Sequence, residues 1–117
     1  MLTNFGKALR RMRIDHNEFL KDMAAKLGVT VAYLSAVENG NREVPDEWVE
    51  KLSCQYNLLP EERKELQEYA YEDKGSLKIS FNGIQEEEKE LALAFARTFK
   101  DLSDEDKKAM KEIFDKR

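Results

Sequence analysis

"MAAKLGVTVAYLSAVENGNR" (Met23–Arg42) decides how this chain is read. Met23, Ala24 and Leu27 recur at helical spacing, Gly28-Val29 breaks the pattern, and Thr30 restarts it ahead of Leu34 and Val37. A threonine just before an apolar repeat marks a helix start, because its hydroxyl accepts from a backbone N–H that the first turn leaves unpaired. Gly28 and Gly40 mark stops, since glycine adopts the left-handed backbone that ends a helix. The expectation is two short helices joined by a tight turn, the second with one face buried and the other outward.

The same reading extends in both directions. Thr3 or Asn4 caps a first helix carrying Phe5, Leu9 and Met12, which stops at His16-Asn17. Leu20 opens the stripe that runs into Met23. Pro45 is expected to open a fourth helix, with Trp48, Val49, Leu52 and Tyr56 buried, and Pro60 a fifth, with Leu66, Tyr69 and Ala70 facing in.

Beyond residue 74 the pattern changes. In "GSLKISFNG" (Gly75–Gly83), Leu77, Ile79 and Phe81 alternate between glycines, which predicts one short strand. A lone strand needs a partner, and the simplest is the same strand of a second copy. A helix from about residue 85 to 100 carries Leu91, Phe95 and Phe99, a stripe that Leu102 continues. A last helix, from 104 to about 116, carries Met110, Ile113 and Phe114, with Ser103 and Asp106 spaced as a capping box. These faces can bury against each other, against the first domain, or across a dimer, and the unpaired strand favours the dimer. Candidate dimerisation residues are Leu77, Ile79, Phe81, Leu91, Phe95, Phe99, Ile113 and Phe114.

Composition narrows the function classes. Apolar residues make up 41% and charged residues 38% of the 117, a globular mixture with no run suited to a membrane. The N-terminus lacks a continuous apolar segment, so a cytoplasmic location is expected. Cys54 is the single cysteine, expected to be a small buried hydrophobe. With one histidine, His16, no Gly-rich phosphate loop and no metal-ligand spacing, neither an enzyme, a metal site nor a cofactor is expected. Net charge is −4, yet residues 1–45 hold 7 Lys/Arg against 5 Asp/Glu, while residues 46–117 hold 13 against 19. Contact with nucleic acid would therefore come from the N-terminal part.

At this point the stretch Met23–Arg42 resembles the Cro/phage-repressor (Xre-type) helix-turn-helix family, over roughly residues 3–60. The resemblance implies a five-helix, lambda-repressor-like DNA-binding domain, taken over residues 1–73; with the one short strand and two helices read from patterning alone over residues 74–117, a module for dimerisation or partner binding, the fold class expected is all-α. The resemblance also implies a structural pair, Arg13 with Glu38, and phosphate contacts from Arg10, Arg13, Lys21, Asn39, Asn41 and Arg42. Two positions depart from the family. Phe19 and Leu20 stand where a Ser/Thr cap and a backbone-contacting Gln are common, so the cap is expected to pass to Asn17. Glu18 stands where an apolar residue is usual, so this corner packs differently.

The outward positions of the recognition helix are Thr30, Val31, Ala32, Tyr33, Ser35 and Ala36. None supplies the bidentate Arg–guanine or Gln–adenine pairing. Small apolar side chains suit the thymine methyl, and Tyr33 either reaches the DNA backbone or packs on the neighbouring helix. The implied function is a dimeric, sequence-specific regulator of transcription, a repressor acting on double-stranded DNA by promoter occupancy. The alternative is an antitoxin-type protein whose C-terminal half holds a protein partner, a toxin or regulator.

Overall fold

A computed structural model describes all residues from Met1 to Arg117. The chain divides into two compact units, Met1–Lys78 and Ile79–Arg117.

The first unit contains α1 (Asn4–Asp15), α2 (Leu20–Leu27), α3 (Val31–Glu38), α4 (Trp48–Gln55) and α5 (Pro60–Lys74). Its core joins Phe5 and Leu9 of α1, Met23 and Leu27 of α2, Leu34 and Val37 of α3, and Trp48 and Leu52 of α4, all essentially inaccessible. Val44 enters from the loop before α4, and Leu66 and Ala70 close the core from α5. Each such large side chain contributes about 1.5–3 kcal/mol on burial, which is what holds five short helices together.

Local chemistry sets the helix ends. Thr3 Oγ1 accepts from the Gly6 N–H at 3.0 Å, and Thr30 Oγ1 from the Tyr33 N–H at 3.0 Å. Asn17 ends α1 in the left-handed region, at φ 54°, and Gly28 ends α2 at φ 72°. Asn57, at φ 50°, does the same after α4.

Several sequence expectations need correction. The cap of α2 does not pass to Asn17. Asp22 instead reaches back, its carboxylate accepting from the Phe19 N–H at 2.7 Å. Pro45 does not open α4; its carbonyl accepts from the Trp48 N–H at 3.1 Å in a turn, and the helix begins at Trp48. Cys54 is exposed rather than buried, because α4 turns Trp48, Val49 and Leu52 inward.

The largest correction concerns Leu77–Phe81, where no strand forms. The seven helices offer no edge for it to pair with, and alternation alone cannot satisfy a backbone. Gly75–Lys78 belongs with the first unit instead of opening the second. Tyr71 Oη donates to the Lys78 carbonyl at 3.2 Å, and the Lys78 ammonium lies 3.5 Å from Asp46.

The second unit contains α6 (Glu86–Thr98), a 3₁₀ turn (Phe99–Asp101) and α7 (Asp104–Asp115). Ser103 Oγ caps α7 by accepting from the Asp106 N–H at 3.1 Å. No residue of α6 or α7 is buried. The Phe95 and Phe99 rings meet at 5.1 Å, while Leu91, Ile113 and Phe114 stay open to solvent.

Candidate nucleic-acid interface

The interface is built on the α2–α3 corner. The Val29 N–H donates to the Ala24 carbonyl at 3.0 Å, which closes the turn and aims α3 away from α2. Leu34, Val37 and Glu38 are the buried residues of α3. Thr30, Val31 and Ala32 are exposed, whereas Tyr33, Ser35 and Ala36 are half-buried. A short, neutral, mostly small-residue face is thus presented to solvent.

Glu38 fixes that helix from both ends of α1. Its backbone carbonyl accepts from the Thr3 N–H at 3.0 Å and from Thr3 Oγ1 at 3.2 Å. Its carboxylate takes both arms of Arg13, at 2.5 and 3.1 Å, with Arg13 7% and Glu38 2% exposed. Arg13 also approaches Met23 Sδ at 3.2 Å, and Arg10 Nε stands 4.0 Å from Glu38. A fully desolvated, bidentate pair differs from two surface charges, because removing either partner strands a charge in the core. The guanidinium of Arg13 is committed to this brace and turned inward, whereas Lys7, Arg10, Lys21 and Arg42 are exposed, Arg10 lying near Glu38 and Arg42 against Tyr33.

Gly6 is what lets α1 come this close. A Cβ there would sit 2.2 Å from the Glu38 carbonyl oxygen.

Tyr33 packs on the neighbouring helix, its ring 5.9 Å from that of Trp48. Its other side carries the Arg42 guanidinium, 4.2 Å from the ring centroid. The tyrosine is therefore a shelf that holds Arg42, from the loop after α3, against the helix. Asn39 turns its amide back to donate to the Ser35 carbonyl at 2.9 Å, and the exposed Asn41 donates its backbone N–H to Ala36 at 2.9 Å.

The helix-turn-helix family model matches residues 9–63. These residues form an Xre-type helix-turn-helix domain. No curated protein and no solved structure gives a significant match to the chain. DNA binding and transcription regulation are the work of this family of domains, and no helix here is long and apolar enough to cross a membrane.

The helix-turn-helix domain also contains groups that its sequence did not announce. Glu18 sits between Tyr56, whose hydroxyl donates to it at 2.5 Å, and Lys26, also at 2.5 Å. Lys26 lies 4.4 Å from the Tyr56 ring centroid, and His16 meets the same ring edge-on at 4.9 Å. Burial opposes ionisation of Glu18, but the hydrogen bonds from Lys26 and Tyr56 outweigh it and hold the carboxyl below its ordinary range. Burial, reinforced by Glu18, pushes the Tyr56 hydroxyl well above the usual tyrosine value. The unusual charge at position 18 is thus the centre of a polar clasp between the α1–α2 corner and α4. Its one sequence signal was Glu18 at a position where apolar residues are common; its partner lies 38 residues away. The Tyr33–Arg42 stack had no signal beyond an aromatic and a cation in the same segment.

Proposed function

We propose that the chain is a sequence-specific double-stranded-DNA-binding regulator that represses by occupying a promoter as a dimer, with no cofactor. The observation that carries the reading is the braced, neutral face of α3. Val31 and Ala32 are exposed on a helix locked through Glu38, and Arg42 is shelved against it. Such a face approaches the groove floor closely and reads thymine methyls and groove shape. Lys7, Arg10, Lys21 and Arg42 supply phosphate contacts that set its register. One neutral helix discriminates modestly, so two half-sites about one helical turn apart, bound by a dimer, give useful specificity.

The test is selection from a random double-stranded pool, followed by titration of the enriched site against salt. A palindromic, thymine-containing site with a steep salt dependence is expected, and no enrichment at any salt would refute the reading. Arg42→Ala should flatten the slope by about two units, roughly one for each half-site of the dimer. Tyr33→Leu should do much the same by unseating Arg42, whereas Tyr33→Phe should not.

A second reading is favoured by the unburied faces of α6 and α7, which suit a protein partner as in an antitoxin. A small toxin-like gene beside this one, whose product co-purifies with the chain, is what that reading requires.

A further inference from the structure

In α7, Asp106, Met110 and Ile113 succeed one another at spacings of four and three residues and so share one face, and Ser103 at its cap and Arg117, two residues past its last turn, continue the same sequence pattern at either end. Phe114 widens that face. Ile113 is 52% and Phe114 62% exposed, and no residue of α7 is buried. An isolated helix of this length is marginal in water, and a unit below about 40 residues generally needs a partner to bury its apolar surface. The seam has an acid near one end, a base at the other, and its apolar residues between them.

We propose that α7 pairs antiparallel with α7 of a second copy of this chain. The charges select both the occupant and the direction. Rotation by two-fold symmetry about the middle of the seam brings Asp106 opposite Arg117 of the second copy, and the reciprocal pair forms at the other end. Met110 then faces Ile113 of the second copy, and Phe114 covers the flank. A parallel pairing would set Asp106 against Asp106 and Arg117 against Arg117, which repel. The antiparallel arrangement also sets the positive end of each helix dipole, already lined by Asp104, Glu105 and Asp106, beside the negative end of the other. The seam is therefore complementary to itself. The pairing rests on the dimeric part of the function proposed above, and its observation needs no DNA.

The experiment is sedimentation of the full-length chain at low salt across the micromolar range, with Asp106→Arg, Arg117→Asp and the double exchange. The wild type should be dimeric. Each single exchange should weaken association about tenfold, because symmetry repeats the like-charge contact twice per dimer. The double exchange should return it to within about twofold of the wild type, the coupling expected of residues in contact. Ile113→Asp should give a monomer. A wild type that is monomeric throughout overturns the pairing and leaves the stripe to a different protein. Single exchanges without effect, or a double exchange that does not restore association, overturn the antiparallel register. Binding of DNA by a monomer would sink this interface while sparing the DNA reading; a dimer that binds no DNA would do the reverse.

Discussion

Glu38 is the residue on which the recognition helix depends, and its two ends behave differently on substitution. Glu38→Ala leaves the Arg13 guanidinium buried without a counter-charge and should cost about 3–5 kcal/mol, read as a shift in the urea unfolding midpoint. Replacing both partners, as Arg13→Met with Glu38→Leu, should cost less than that single change, because no charge is then stranded. Gly6→Ala acts on the backbone of the same residue. With its new Cβ 2.2 Å from the Glu38 carbonyl oxygen, either α1 must shift or α3 must, and a loss of about 1–3 kcal/mol is expected in the same measurement. Unchanged stability would mean that α1 and α3 do not approach this closely in solution. Arg13, Glu38 and the family spacing were legible in the sequence. That the pair is buried was not, because burial depends on Met23 and α1 arriving from elsewhere in the fold.

Among the elements, helix starts follow two chemistries. Thr30 and Ser103 cap with a hydroxyl, as their positions in the sequence implied, and so does Thr3, which the sequence offered alongside Asn4. In α2, α5 and α6 a carboxylate reaches back instead, Asp22 to the Phe19 N–H, Glu62 to Leu59 and Glu88 to Gln85. This explains how α2 starts cleanly with no Ser, Thr or Asn at its cap. The clasp at Glu18 joins elements rather than ending one, and it has a pH signature. Because the carboxyl of folded Glu18 lies below its ordinary range, its contribution is complete above about pH 4.5 and is lost as pH falls through the lowered value. Glu18→Gln should therefore lower stability near neutrality and make the acid side of the stability profile shallower, measured as urea midpoints from neutral to acid pH. A variant profile parallel to wild type would mean that Glu18 is not ionised within the clasp.

At the scale of the whole molecule the two units differ in how they are held. The first has a core of fully buried side chains, and the second has none. Amide hydrogen exchange should therefore be slow in α1, α3 and α4 and fast in α6 and α7 at low protein concentration. Protection of α7 should rise with concentration if a second copy covers it, and slow exchange in α7 at high dilution would contradict this account. The sequence by itself determined the helices, the stops of α1, α2 and α3, and the helix-turn-helix, because left-handed stops and apolar periodicity act within a few residues of one another. It misplaced the strand at Leu77–Phe81 for the same reason: alternation is a local signal, whereas strand formation requires a distant edge that this chain lacks. Tertiary structure alone decided that Glu18 would find Tyr56, that Tyr33 would shelve Arg42, and that Gly6 would meet the Glu38 carbonyl. Those contacts join residues brought together only when the helices dock, so no spacing along the chain encodes them.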